Sequence, residues 1–187
     1  MHAQKPLIVV VLLVALGVTG CASHGQVTTG TPPPPATAGP APGSTPATFG
    51  TGTDISYQCS NLLDETTLAA LDANLIPDAD YTPVAGSSAE EAVAIKGIAC
   101  SWSDASSQTT LVVTLAQPDA ATLATLKTRA GTPTSQFGGS ASAYTRGTEL
   151  QLVNGDGFWA TADSPLLADP AKLTAIGQIL LEELPAG

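Results

Sequence analysis

The sequence predicts an α+β domain in which an antiparallel sheet of four to five strands carries two to three helices on one face and is braced by one disulfide. Three observations predict this fold. Apolar and polar residues alternate over residues 98–103 and 109–116, as they do in half-buried strands. Segments with helical spacing of apolar residues precede, separate and follow these strands. The domain, placed at residues 54–187 of the 187-residue chain, contains two cysteines, Cys59 and Cys100.

The first 20 residues have the features of a bacterial secretion signal. Lys5 supplies a positive charge, and residues 7–16 form an unbroken apolar run. As a helix this run rises only about 15 Å, half the thickness of the bilayer's hydrocarbon core, so it is too short to span a membrane. Val18-Thr19-Gly20-Cys21 resembles the lipobox of bacterial lipoproteins. The resemblance implies lipidation of the Cys21 thiol and cleavage before it; the alternative is an ordinary secretory signal with a chance cysteine.

Residues 21–53 are expected to comprise the lipidated cysteine and a disordered linker. Most positions from 22 to 53 are Pro, Gly, Ser or Thr, including the run of four prolines at 32–35, and none is Asp, Glu, Lys or Arg. Such a segment buries too little apolar surface to offset the entropy of ordering it. We therefore expect a spacer between membrane and domain, although a proline-rich tract can also be a ligand for an aromatic groove.

The first half of the domain carries two helix signals. Asp64 is a candidate N-cap for a helix that runs to about Asn74, before Pro77 stops it. Ser88-x-x-Glu91 has the spacing of a capping box for a short helix over residues 89–95. The strands over residues 98–103 and 109–116 follow.

The second half of the domain carries two further helix signals. One helix opens at Asp119 and ends at Gly131, with basic residues in its last turn. The last helix is capped by Asp169 and has Pro170 in its first turn. Its apolar face carries Leu173, Ile176, Leu180 and Leu184.

Three more strands are expected between these two helices, around residues 141–146, 149–153 and 158–162. Asn154-Gly155 indicates a hairpin between the last two strands. Because Asp156-Gly157 follows directly, the loop should contain four residues rather than two.

Cys59 and Cys100 are expected to form a disulfide, since an exported chain lies in an oxidising compartment. The loop that they close has about 42 residues, which corresponds to about 4 kcal/mol of stabilisation in the chain-entropy model. A redox-active pair would call for a Cys-x-x-Cys motif or a neighbouring basic residue. A zinc site would need further ligands, and the domain has no histidine to supply them.

The cysteine motifs resemble those of one protein family. Cys59-Ser60-Asn61-Leu62-Leu63 precedes a helix, and Gly97-Ile98-Ala99-Cys100-Ser101-Trp102 lies on a strand. Together with the lipobox and the linker they are similar to the small actinobacterial lipoproteins that carry a Cys-Ser/Thr-x-Leu-Leu and Cys-x-Trp domain of unassigned function. The resemblance covers about residues 55–165. It implies an envelope location and an α+β fold, and it brings no catalytic residues.

The residues predict no catalytic site, no metal site and no cofactor. His2 and His24 precede the domain, so mechanisms of the Ser-His-Asp and Cys-His types are excluded, and no P-loop or Rossmann motif occurs. Asn154 and Asp156 begin like a calcium loop, but apolar residues occupy the later ligand positions. Carboxylate pairs that could in principle serve glycoside hydrolysis are Asp78/Asp80, Glu90/Glu91 and Asp156/Asp163. A chain with 16 acidic residues contains such pairs in any case.

The charge of the domain argues against nucleic acid as a partner. All 16 acidic residues and every basic residue except Lys5 lie after residue 53, so the domain is more negative than the −10 of the whole chain. This charge repels nucleic acid and anionic lipid headgroups and favours solubility; attraction to a cationic partner is the functional alternative. Phe158 and Trp159, on opposite faces beside the hairpin, form a candidate binding surface if they are not packed in the core.

These observations predict a lipid-anchored protein on the extracytoplasmic face of the cell membrane that binds or scaffolds without catalysis. Its partners are the membrane, through the N-terminal lipid, and an unidentified envelope protein or ligand. Two alternatives come from other classes. One is a carboxylate-dependent enzyme that acts on envelope glycans, and the other is a carrier of a small apolar ligand, which requires a deep apolar cavity.

The anchor can be tested by replacing the lipidated residue. Cys21→Ala removes the thiol that accepts the lipid, so the protein should leave the membrane fraction after a high-salt wash while the wild-type chain stays. Immunoblots of the washed membranes measure this. Retention of the variant in the washed membranes would contradict lipid anchoring through Cys21.

Overall fold

An eight-stranded antiparallel sheet forms the centre of the fold in the computed structural model, which describes residues 48–138 and 141–184. The strands are β1 (Gly52–Thr53), β2 (Ile76–Pro77), β3 (Ile98–Asp104), β4 (Thr109–Pro118), β5 (Thr132–Thr134), β6 (Ala141–Arg146), β7 (Glu149–Asn154) and β8 (Trp159–Asp163). The helices are α1 (Cys59–Leu62), α2 (Glu65–Leu71), α3 (Ser88–Ala94), α4 (Ala120–Arg129), α5 (Pro170–Glu183) and a 3₁₀ turn at Pro165–Ala168. The strand order is β2-β3-β4-β8-β7-β6-β5, and β1 pairs with the end of β4.

The predicted α+β class and antiparallel sheet are confirmed, but the predicted number of strands is wrong. The five expected strands are the long ones, β3, β4, β6, β7 and β8. The sheet has eight because β1, β2 and β5, of two or three residues each, add short pairings to it. Segments this short show no alternation of apolar and polar residues, and two of them contain a proline, so the sequence gives no strand signal there.

The helices cover both faces of the sheet, not one face as predicted. On β4, Leu115 packs in a core with residues of α1, α2 and α5, whereas the next residue, Ala116, packs with residues of α3 and α4. Successive side chains of a strand point to opposite faces. The same switch occurs on β8 between Trp159 and Ala160. The sheet is therefore sandwiched between two helical layers.

Side-chain caps start the helices at or near the predicted positions. The Asp64 carboxylate accepts a hydrogen bond from the Thr67 N–H at 2.7 Å, and α2 then ends at Leu71, earlier than expected. Asp119 and Asp169 cap α4 and α5 in the same way. The cap of α3 is Ser87 rather than Ser88, one residue earlier than the predicted capping box. Ser88 is thereby left free to make a different contact.

The helix α4 ends as the sequence predicts. Lys127 and Arg129 lie in its last turn, where positive charge complements the helix dipole. Gly131 follows with a φ of +102°, a conformation that residues with a side chain rarely adopt. The chain then turns directly into β5.

The first face of the sheet, which we call the apolar face, holds the main hydrophobic core. Its strand residues are aliphatic or aromatic at every central position, and α5 covers them with the apolar side chains predicted for it. The buried residues from the strands are Cys100, Trp102, Leu111, Val113, Leu115, Ala143, Leu150, Leu152, Ala160 and Ala162, and those from α5 and its end are Ile176, Leu180 and Leu184.

The predicted disulfide between Cys59 and Cys100 is present. It joins the first residue of α1 to the middle of β3, with the two Cα atoms 5.5 Å apart and the two cysteines 41 positions apart in sequence. Cys100 is buried, and Trp102 lies on the same face of β3 within the same core. The crosslink therefore fixes the start of the domain to its apolar core.

The folded region begins before Asp54, the boundary expected from the sequence. Gly52 and Thr53 pair with the end of β4, and the Thr51 N–H donates a hydrogen bond to Thr122 Oγ1 at 2.9 Å. The Thr51 hydroxyl also donates to Asp119; this bond and those from Thr122 lower the pKa of Asp119 to about 2. The linker therefore ends a few residues earlier than the absence of charged residues alone predicts.

The predicted signal peptide, the lipidation site Cys21 and residues 22–47 of the predicted linker lie outside the described residues. Within residues 48–138 and 141–184, no helix combines the length and apolar character needed to cross a bilayer.

Removal of the disulfide should lower the stability of the domain without changing its fold. In the chain-entropy model, replacing both Cys59 and Cys100 with serine should cost about 4 kcal/mol of unfolding free energy. Chemical denaturation of the two proteins measures the difference. Mass spectrometry of the unreduced wild-type protein should show the two cysteine peptides linked, and free thiols at these positions would contradict the bridge.

Candidate functional site

The second face of the sheet, which we call the polar face, differs chemically from the first. One row of directly paired residues runs across it in the order Ser101, Val112, Asp163, Glu149 and Arg146. The next row contains Thr114, Thr161, Gln151 and Tyr144. A core that only stabilised the fold would be filled with apolar side chains here, as the apolar face is. The polar face therefore holds the residues with the greatest capacity for chemistry or recognition.

Buried Glu149 is the most elaborately bonded carboxylate in this row. Its Oε2 accepts hydrogen bonds from Nη2 and Nε of Arg146 at 2.6 and 3.1 Å, and its Oε1 accepts one from the Ser88 hydroxyl. The Glu149 side chain is 8% exposed, whereas that of Arg146 is 55% exposed. A carboxylate taken out of water needs such partners, because an unpaired buried charge is costly. The shift of the α3 cap to Ser87 is what frees Ser88 for this contact.

A second buried carboxylate joins the two helices that cover the polar face. Glu91 of α3 forms an ion pair with Arg129 at the end of α4. The Glu91 side chain is 11% exposed, so the arginine closes the carboxylate off from most of the solvent. The ion pair therefore links α3 to α4 above the sheet.

Three cavities lie beside these ion pairs. The Tyr81 cleft has a volume of about 310 Å³ and is lined by Tyr81, Val84, Ser87, Ser88, Ala89, Val112, Arg146, Glu149, Thr161 and Asp163. A small cavity of about 50 Å³ shares Ser88 and Arg146 with it and reaches Glu91 and Arg129. A third cleft of about 380 Å³ shares Glu91 and Arg129 and extends to Phe49 and Gly50. The shared residues show that the three cavities are neighbours along one side of α3.

The Tyr81 cleft has the lining expected of a binding site. It combines an aromatic ring, aliphatic walls and convergent polar groups, which is the composition typical of small-molecule sites. Burial, followed by the negative charges of Asp163 and Asp78, raises the pKa of Tyr81. The Tyr81 hydroxyl is thus neutral at physiological pH and faces a negative local field.

The loop that carries Tyr81 is anchored at both ends. The Asp78 N–H donates to the Ser101 carbonyl at 2.8 Å, which ties the start of the loop to β3. At the other end the Gly86 N–H donates to Glu90 Oε2 at 2.7 Å, on α3. These bonds hold the aromatic wall of the cleft in place against the sheet.

Phe158 and Trp159, the candidate binding surface, both pack against the core, which is the alternative that the sequence left open. Trp159 is 1% exposed and packs with Val153 and Leu126 on the polar face, where its Nε1–H donates to Gln151 Oε1 at 3.4 Å. Phe158 is half-buried against the apolar core on the other face. The two rings do point to opposite faces, as the sequence indicates, but both faces are covered by helices.

The acidic residues paired in the sequence analysis have separate places or local contacts in the fold. Asp156 lies in the β7–β8 loop, whereas Asp163 lies at the far end of β8. Asp78 and Asp80 form a local turn, in which the Asp80 N–H donates to Asp78 Oδ1 at 3.2 Å. Glu90 holds Gly86, whereas its neighbour Glu91 pairs with Arg129.

The calcium-like loop forms the turn of the β7–β8 hairpin. Asn154 Oδ1 accepts hydrogen bonds from the N–H groups of Asp156 and Phe158, at 3.1 and 3.0 Å, which closes the turn. Among the described residues no three side chains of the metal-ligating types converge.

The structure brings together one carboxylate pair that the sequence did not suggest. Glu149 and Asp163 lie directly opposite each other on β7 and β8, and both line the Tyr81 cleft. They are 14 positions apart, and the pairing depends on the four-residue hairpin loop that sets the register. The signal that could have found them is the polar alternation Glu149, Gln151 on one strand and Thr161, Asp163 on the next.

Loss of one partner of the buried pair should destabilise the fold. Arg146→Met leaves the Glu149 carboxylate in place without its guanidinium, and we expect a loss of about 2 kcal/mol in unfolding free energy, below the full cost for a buried pair because the arginine is half exposed. Lys172→Met, which removes a half-buried lysine charge from α5 that takes part in none of the ion pairs described here, is the matched control and should change stability little. Equal stability of the two variants in urea unfolding would contradict the role given to Arg146.

The chain matches no protein-family model, no curated protein and no solved structure. The similarity to small actinobacterial lipoproteins therefore stays a prediction from the cysteine motifs, and functional inference depends on the geometry of the polar face.

Proposed function

We propose that this protein is a lipid-anchored binding module on the extracytoplasmic face of the cell membrane, and that its ligand occupies the Tyr81 cleft. The lipobox at Cys21 and the uncharged linker support the anchoring. The linker gives the tethered domain reach, so that the cleft can meet ligands at a distance from the lipid surface.

The observation that carries the binding function is the pairing of the buried charges beside the cleft. Glu149 is compensated by Arg146 and Ser88, and Glu91 by Arg129. A general acid or base must be free to reach a proton of the substrate, whereas these carboxylates already accept hydrogen bonds from arginine and serine side chains of the fold. Groups fixed in this way suit the recognition of a ligand better than proton transfer.

An enzyme acting on envelope glycans is the second candidate, and one observation favours it. Glu149 and Asp163 are opposite neighbours on adjacent strands and line one cleft, as two carboxylates do in glycoside hydrolases. Release of reducing ends from purified cell-wall glycan by the wild-type protein, and its loss in Glu149→Gln and Asp163→Asn, would establish this activity in place of simple binding.

A carrier of apolar ligands receives less support. Each cavity described above is lined in part by charged or hydroxyl-bearing side chains. An apolar ligand there would displace water from these polar groups without offering hydrogen bonds in return, which is unfavourable.

Photo-crosslinking in living cells tests the proposed function. A photoreactive phenylalanine analogue replaces Val84, an exposed residue at the edge of the Tyr81 cleft, in the full-length protein. We expect a discrete adduct, detected as a mass shift of the purified protein. The adduct should disappear when Cys21→Ala releases the protein from the membrane, because the ligand is expected in the envelope.

The same analogue at Val93 provides the control. Val93 is also an exposed valine on this side of the molecule, but it lines none of the three cavities. Equal adducts at positions 84 and 93, or no adduct at position 84 in the anchored protein, would contradict a ligand site in the cleft.

A further inference from the structure

We propose that the Tyr81 cleft selects small organic cations, which place an ammonium group between Asp163 and the Tyr81 ring and an apolar body against the aliphatic wall. This inference rests on the proposed function and adds the chemical class of its ligand. It follows from how the charges and the apolar surface are distributed within the cleft.

Most of the charge in the cleft is already compensated. Both guanidinium donors that face Glu149 are used in the ion pair, and the second oxygen of Glu149 accepts the Ser88 hydroxyl. Arg146 and Glu149 therefore contribute no net charge. The negative charge of the cleft is that of Asp163, the remaining ionisable acid among the lining residues.

Asp163 has capacity for a further partner. It is exposed, and its Oδ1 accepts a hydrogen bond from the Thr148 hydroxyl at 2.8 Å. Within residues 48–138 and 141–184, no second hydrogen bond or ion pair to this carboxylate is observed. An ammonium group could therefore bind to its other oxygen without displacing any contact of the fold.

The aromatic wall favours the same ligand class. The face of a tyrosine ring attracts a cation, and the attraction grows when both are partly removed from water. Tyr81 is half-buried, and burial, followed by the negative charges of Asp163 and Asp78, raises the pKa of its hydroxyl. The two carboxylates that oppose a tyrosinate anion also attract a cation to the same place.

The aliphatic wall of the cleft favours a ligand with a hydrophobic body beside its ammonium group. Val84, Ala89 and Val112 line the cleft beside these polar groups. A hydrophobic body placed there would cover apolar surface that is otherwise wetted, including Val84, which is 68% exposed. A volume of about 310 Å³ accommodates an aromatic or short aliphatic amine.

Anionic and neutral ligands fit the cleft less well than cations. An anion would meet Asp163 and would have to compete with Glu149 for Arg146. A neutral isostere would gain the apolar contacts but neither the ion pair nor the cation–π attraction. The charge of the ligand should thus decide its affinity.

Binding of three isosteres to the full-length protein in a non-ionic detergent tests the inference. The probes are benzylammonium, benzyl alcohol and benzoate, and isothermal titration with competition measures their affinities. We expect benzylammonium to bind most tightly, and Asp163→Asn to weaken it about fivefold. Tyr81→Leu should weaken it by a similar factor through loss of the ring.

Glu182→Gln is the matched control, because it removes one exposed negative charge from α5, which lies on the other side of the sheet. It should change benzylammonium affinity by less than about twofold at physiological salt. Unchanged thermal midpoints of the variants establish that they are folded. Affinity for benzyl alcohol or benzoate equal to that for benzylammonium, or equal effects of Asp163→Asn and Glu182→Gln, would overturn the inference.

The cationic character of the ligand and the presence of a ligand in the Tyr81 cleft can be disproved independently. If the ammonium probe shows no preference while the adduct at position 84 persists in cells, the cleft binds another class of ligand and only the inference is overturned. If the adduct is absent as well, the cleft is not the ligand site.

Discussion

The alternation of side chains along each strand is the constraint on which this structure depends. Because successive residues point to opposite faces, one face of the sheet is apolar while the other carries polar and charged side chains. Leu150 and Leu152 of β7 lie in the apolar core, while Glu149 and Gln151, one position away, lie on the polar face. A shift of one residue in register would move the leucines to the polar face and the polar residues to the apolar face. The register of the β7–β8 hairpin therefore determines both the packing of the core and the composition of the Tyr81 cleft.

The two faces of the sheet contribute differently to the stability of the domain. The apolar face, with α5 and the Cys59–Cys100 bridge, supplies most of the hydrophobic burial and ties down the start of the domain. The polar face is covered by two helices that an ion pair between Glu91 and Arg129 connects. Such pairs add little net stability compared with apolar residues of the same volume. Their presence makes sense if this face recognises a ligand.

Much of the fold could be predicted from the sequence, and the site could not. Caps such as Asp119, strand alternation and the two cysteines of the domain are local signals, and they located the long elements and the disulfide. The three short strands and the second helical layer arise from pairing between distant segments, which leaves no local pattern. The partners Glu149 and Asp163 likewise meet only through sheet register. Trp159, which the sequence left as either a binding-surface or a core residue, is buried by α4 and β7.

The most direct test of this account compares the two faces by unfolding free energy. Replacing both members of the polar-face pair, Glu149→Leu with Arg146→Met, should leave stability within about 1 kcal/mol of wild type, because an apolar pair substitutes for a compensated charge pair. Leu150→Ala, one residue away on the apolar face, should cost about 3 kcal/mol. Urea denaturation of the three proteins measures both values. A loss in the double variant as large as that in Leu150→Ala would contradict the division of stability and recognition between the two faces.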